Sequence, residues 1–108
     1  MNVPYQYLVL HQSCKNHLGV LAVQAAHAAG ESCVEGPAPS DTRVVALVAD
    51  TSEELKTLSR ALHEADIKHV LIIEPDPPYQ GAATALGITP TRARERLRPF
   101  VAKFPILK

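Results

Sequence analysis

The chain has no tryptophan, and aromatic residues make up only 5% of its 108 residues. Its core must therefore be filled mainly by Val, Leu, Ile and Ala. Apolar residues reach 46%, too many for a disordered chain and enough for one ordinary domain spanning residues 1–108. Only two cysteines occur, Cys14 and Cys33. They cannot make a disulfide framework, which predicts a reducing, cytoplasmic setting. No apolar run approaches the ~20 residues of a membrane-spanning helix. Tyr5–Leu10 is apolar but short and has no basic segment before it, so neither a membrane span nor a signal peptide is expected. A Walker A stretch, a dinucleotide-binding glycine pattern and a nucleophile elbow are also missing.

What is present begins with an uneven charge distribution. Net charge is zero, yet Arg92 to Lys108 carries six basic side chains (Arg92, Arg94, Arg96, Arg98, Lys103, Lys108) against the single carboxylate of Glu95, a net +5. The other 91 residues hold five basic and ten acidic side chains, a net −5. Such a partition gives the domain one anion-facing side. The plainer reading is a solvated helix face whose arginines pair with acids elsewhere.

Hydrophobic patterning predicts the elements. Gln6–His11 is a strand-length apolar run. Leu18–Ala29 is an Ala- and Leu-rich helix, with Gly30 as its stop. Residues 30–42 carry Gly, Pro, Ser and Asp and read as a loop. Arg43–Ala49 is a buried strand. Thr51 and Glu54 form a capping box, and Leu55, Leu58, Leu62 and Ala65 then recur at helical spacing to about Asp66. Ile67–Ile73 is a third strand, Glu74–Gly81 a Pro-rich loop and Thr84–Ile88 a short fourth strand. Thr91–Leu97 begins a helix that Pro99 should end or kink. Phe104–Leu107 could add a last short strand. The order β-α-β-α-β-β-α implies an α/β fold, three layers (α/β/α) around a mixed sheet of four or five strands. The third and fourth strands are joined by too short a link for a helical crossover, so they are antiparallel or separated in the sheet.

Two polar residues interrupt the Ala-rich first helix. Gln24 and His27 lie three apart, hence close on the helix surface. On a tightly packed helix such groups are either hydrogen-bonded in place or line a cleft.

Three segments in order resemble the type II peptidyl-tRNA hydrolase family. The first is Ala22-Val23-Gln24-Ala25-Ala26-His27-Ala28, on a helix that follows an opening strand. The second is Arg43-Val44-Val45-Ala46-Leu47-Val48 with a capped helix after it. The third is Ala83-Thr84-Ala85-Leu86-Gly87-Ile88-Thr89-Pro90. Tyr5–Leu10, Asp66-Ile67-Lys68-His69 and Phe104–Lys108 resemble the family's divergent branch, the peptidyl-tRNA hydrolase domain-containing proteins. The resemblance implies hydrolysis of the ester between a peptide and the 3′ ribose of tRNA, with no metal and no organic cofactor. It implies tRNA as partner and leaves a homodimer open.

Carried over by position, the implied catalytic set is His27, Gln24, Glu74, Asp76, Thr84 and Lys15. His27 or a carboxylate would deprotonate water, and Gln24, Thr84 or Lys15 would hold the ester carbonyl or ribose. Glu74 and Asp76 are alternatives for the family's carboxylate after the third strand. Arg92, Arg94, Arg96 and Arg98 would contact RNA phosphates.

The sequence also departs from the family. Its Gly-Lys-Gly-Lys stretch aligns with His17-Leu18-Gly19-Val20, so both lysines are lost, and Val20 stands where the second is thought to be catalytic. The Asp-Ala-Gly-x-Thr-Gln loop is replaced by Glu74-Pro75-Asp76-Pro77-Pro78-Tyr79-Gln80. The loop over residues 30–42 is shorter than the family's. A catalytically inactive RNA- or protein-binding module of the same fold is therefore the alternative, and hydrolysis of another ester or amide a third reading. His11, Cys14 and His17 have metal-ligand residue types but no evident fourth ligand. Cys14 beside a histidine lacks a third orienting group for nucleophilic catalysis. Neither supports a metal or cofactor assignment.

Overall fold

In the computed structural model, which describes residues 2–77 and 79–108, four strands form one mixed sheet in the order β2-β1-β4-β3. Strand β1 (Tyr5–His11) pairs in parallel with β2 (Arg43–Ala49) and antiparallel with β4 (Ala82–Ile88). Strand β3 (His69–Glu74) lies antiparallel to β4 at the far edge. Strands β1, β2 and β3 therefore run in one direction. Their C-terminal ends gather His11, Ala49 and Glu74 at one end of the sheet, together with the start of β4.

Helix α1 (Leu18–Glu31) covers one face. Leu8 and Leu10 of β1, Ile72 of β3 and Ala85 of β4 pack there against Ala28. Helices α2 (Ser52–Glu64) and α3 (Arg94–Val101) cover the other. Tyr7, Val9, Leu47, Leu86 and Ile88 meet Leu55, Leu58, Leu62, Leu97 and Val101 in the larger core. The alternation of β1 divides its side chains between the two cores, and the architecture is the three-layer α/β/α arrangement.

Helix α2 starts as its sequence dictates. The Thr51 hydroxyl accepts from Glu54 N at 3.1 Å, and Glu54 Oε1 accepts from Asp50 N at 2.9 Å. Helix α1 runs through the expected stop at Gly30 to Glu31, two residues past its expected last residue, Ala29. Its C-terminal carbonyls are satisfied from outside the helix: Ala29 O accepts from Gln6 Nε2 at 2.8 Å and from the buried Ser32 hydroxyl at 3.1 Å, and Ala28 O and Gly30 O accept from Ser32 N and Cys33 N. With that partner in β1, a left-handed glycine cap is not needed.

Other boundaries shift by a few residues. A 3-10 helix, Gln12–Asn16, links β1 to α1. Strand β3 begins at His69, two residues later than hydropathy suggests. Pro99 lies inside α3, which continues to Val101. Residues 104–107 form no strand of their own. They lie along the outer edge of β2 with an isolated bridge between Ile106 and Leu47, and with Val48 N donating to Pro105 O and Leu107 N to Ala46 O, both at 2.9 Å. That segment shields one edge of the sheet.

Candidate active site

Three residues distant in sequence converge on the α1 side of the sheet, at its C-terminal end. Gln24 Nε2 donates to Glu74 Oε2 at 3.4 Å, and the Thr84 hydroxyl donates to Gln24 Oε1 at 3.0 Å. Gln24 and Thr84 are buried at 4% and 2% exposure, whereas Glu74 is half-buried and reaches the surface. The orientation of the Gln24 amide follows from its neighbours. An ionised carboxylate only accepts, so the NH2 group must face Glu74, and the carbonyl is left to receive the Thr84 proton.

Each side chain is placed by a local feature. Gln24 and Ala28 are one turn apart on the row of α1 that faces the sheet, and both are buried. Glu74 is the last residue of β3. Thr84 depends on a bulge. Ile72 pairs with Ala85 and Ile73 with Ala83, so Thr84 is the extra residue between them. Strict alternation would aim Thr84 with Leu86 and Ile88 into the α2 core. The bulge turns it toward α1 instead, the re-aiming that such irregularities permit. The Ala83 carbonyl accepts a 2.7 Å hydrogen bond from the Ser52 hydroxyl, which steadies the irregular stretch.

The remaining expected site residues lie elsewhere. His27 is on the outer side of α1, with Nε2 3.7 Å from Glu31 Oε1 and its side chain 46% exposed. The three-residue spacing from Gln24 rotates it away from the sheet. Asp76 is exposed in the β3–β4 loop, where its backbone carbonyl accepts from Tyr79 N and Gln80 N. Lys15 is exposed on the 3-10 helix, in a groove shared with Gln12, Asp50, Ile106 and Lys108. Val20, half-buried, is one turn before Gln24 on the same face of α1.

The four arginines stand apart from this cluster. They follow β4, so they lie at the sheet end where β1, β2 and β3 begin. Seven-residue strands at ~3.3 Å per residue put that end roughly 20 Å away. Arg94 Nε donates to the Tyr7 hydroxyl at 2.7 Å, and its guanidinium carbon sits 4.1 Å over the Tyr5 ring. That hydrogen bond raises its pKa still further above the ordinary arginine value. Arg92 donates to Asn2 O at 2.9 Å and lies 4.0 Å from Asp41. Arg96 donates to Ala65 O at 3.3 Å.

Helix α1 begins without a side-chain cap at His17, and its first backbone bond is Leu21 N to His17 O at 2.8 Å. The amides of Leu18, Gly19 and Val20 precede that bond and open toward the same sheet end as the cluster. No group of three or more His, Cys, Asp or Glu side chains is placed to hold a metal ion among the described residues. His11 Nδ1 accepts from Ser13 N at 3.1 Å, and Cys14 is buried. No helix among the described residues is long and apolar enough to cross a membrane.

Residues 5–107 match the family described as "Peptidyl-tRNA hydrolase PTH2". The chain belongs to the peptidyl-tRNA hydrolase family PTH2. No curated protein matches it by sequence. Membership supplies a hydrolase function directed at peptidyl-tRNA at the level of the family, and it spans every strand and helix that builds the Gln24–Glu74–Thr84 cluster. Sequence reasoning missed the bulge at Thr84 and the role of Gln6 at the end of α1. The only signal for the second was a polar residue inside an apolar strand.

Proposed function

We propose that this member of the PTH2 family hydrolyses the ester joining a peptide to the 3′ ribose of tRNA at the Gln24–Glu74–Thr84 cluster. The observation that carries the reading is the convergence of these three side chains from α1, β3 and β4. Glu74 accepts a proton from water as the water oxygen attacks the ester carbonyl carbon. The carbonyl becomes an oxyanion, then re-forms as the ribose oxygen leaves with a proton, giving free peptide and tRNA. Gln24 and Thr84 act on Glu74 rather than on the substrate. Their relay fixes one carboxylate oxygen and leaves the other for water. The uncapped amides at the start of α1 serve as donors for the oxyanion in this reading, since the family's lysine is Val20 here.

The absence of a cation among the cluster's hydrogen-bond partners, among the described residues, favours a second reading, a binding module that has lost the chemistry. Release of labelled peptidyl–amino acid from peptidyl-tRNA separates the two. Turnover by the wild type, with a loss of at least about 100-fold in Glu74→Gln and near-normal rates in His27→Ala, supports hydrolysis at this cluster. Well-folded wild type without turnover leaves the binding module.

A further inference from the structure

Arg92, Arg94 and Arg98 line one groove of about 320 Å³ with Asn2, Val3, Tyr5 and Glu95. Among the described residues, Glu95 is the only carboxylate in that lining. Tyr5, Tyr7 and Val9 alternate onto the α2/α3 face of the sheet, where Tyr7 and Val9 enter the larger core. The groove is thus at the opposite end of the sheet from Glu74 and on the opposite face from Gln24.

The three guanidinium groups differ in freedom. Arg94 is fixed between the Tyr7 hydroxyl and the Tyr5 ring, and Tyr5 in turn stacks on Tyr7 with ring centroids 6.2 Å apart. Arg98 is one helical turn further along the same face of α3 and has no ion-pair partner among the described residues. Arg92 keeps only a 4.0 Å approach to Asp41 and a bond to a backbone carbonyl. A rigid cation flanked by two freer ones suits consecutive phosphates of a polynucleotide, because guanidinium groups recognise phosphate through paired N–H donors.

We propose that this groove is an RNA-backbone anchor separate from the Gln24–Glu74–Thr84 cluster. The inference rests on the reading that the substrate carries RNA. It also says where that RNA is held: the arginines do not rim the ester site but grip the nucleic acid at a distance from it. An anchor so placed contributes affinity without touching the reacting ester.

The test measures affinity for deacylated tRNA over a range of salt, which requires no ester cleavage and so works even if the protein is inactive. Three forms are compared: wild type, Arg92→Glu/Arg98→Glu, and Lys56→Glu/Arg60→Glu, which makes the same change in net charge on α2. Arg92, Arg98 and Arg60 are exposed and Lys56 is half-buried, and unchanged thermal melting confirms folding; Arg92→Gln/Arg98→Gln serves if charge reversal perturbs the fold. The expected result is salt-sensitive wild-type binding. The groove variant should bind at least about tenfold more weakly, with a salt slope shallower by about 1–2, while the α2 variant stays within about threefold of wild type. Equal losses in both variants would reduce the effect to net charge and overturn the anchor. So would unchanged affinity in the groove variant, or no RNA binding by wild type. Ester hydrolysis without tRNA affinity would sink the anchor and leave the proposed hydrolysis at the Gln24–Glu74–Thr84 cluster standing.

Discussion

Thr84 donates a 3.0 Å hydrogen bond to Gln24 Oε1, across a sheet face that its place in β4 would not give it without the bulge beside Ile72 and Ile73. Both groups are buried, so removing the hydroxyl strands an amide oxygen away from water. Thr84→Val keeps the shape and removes the donor. It should cost about 1–3 kcal/mol of stability, read from denaturant unfolding, whereas Thr84→Ser should recover most of it. If Thr84→Val proves as stable as wild type, the bond contributes nothing that water does not replace.

Helix α1 lies close on β4 because Gly87 has no side chain. A Cβ there would run into the Ala28 carbonyl and come within 2.8 Å of the Ser32 hydroxyl. The Ala28 carbonyl belongs to the helix backbone and cannot rotate away. Gly87→Ala should therefore destabilise the domain by about 1–3 kcal/mol and shift α1, weakening the Gln24–Glu74 contact. A lowered melting temperature together with altered amide shifts along α1 is the expected signature. Unchanged shifts would mean the strand yields instead.

The strands and helices were legible because the chain follows simple periodicities. The Thr51/Glu54 capping box, the Leu55–Leu58–Leu62 stripe and the apolar runs of β1 and β2 each name their own element. The site was only half legible. Gln24 could be singled out as a polar residue on an Ala-rich helix, but its three-residue spacing from His27 did not reveal which of the pair faces the sheet. That depends on the rotation of α1, which Gly87 and the Gln6 contacts set from other parts of the chain. Thr84 was harder, because a bulge changes the phase of a strand and leaves little mark in a run as short as Ala83-Thr84-Ala85. The arginines were legible as a charge block but not as a place. Their distance from Glu74 follows from β4 running antiparallel to β3.

The two cysteines should differ in reactivity. Burial pushes the Cys14 thiol above its usual ionisation range, and the thiolate is the reactive form. Native protein at pH 8 should take up alkylating agent at Cys33 first, with Cys14 modified only on unfolding. The linkage has a definite sign. The folded state holds the Cys14 proton where the unfolded chain has lost it, so this contribution is complete below the ordinary thiol value of 9.0 and declines as pH rises through the raised one. Cys14→Ala should remove that part of the alkaline loss, as seen in unfolding midpoints at pH 8 and pH 10. Equal alkylation of both thiols in the native state would contradict the burial of Cys14.

Val20 provides the most direct probe of the missing cation beside the Gln24–Glu74–Thr84 cluster. It stands one turn before Gln24 on the same face of α1, so a lysine there could reach the space beside Glu74 from the helix terminus. Under the proposed hydrolysis, a cation at that point would add to the α1 amides in stabilising the oxyanion. Losing one such donor elsewhere costs roughly 10²–10³ in rate, so gaining one under less ideal geometry should give about tenfold or more. Val20→Lys should therefore raise kcat for peptidyl-tRNA while leaving melting nearly unchanged, since the position is only half-buried. In the double variant Val20→Lys/Glu74→Gln the gain should vanish, because the base is gone. If Val20→Lys hydrolyses ester where the wild type does not, the fold retains everything but the cation. If neither turns over, the Gln24–Glu74–Thr84 relay is a structural tie between α1 and the sheet, and the reaction centre assigned to it is wrong.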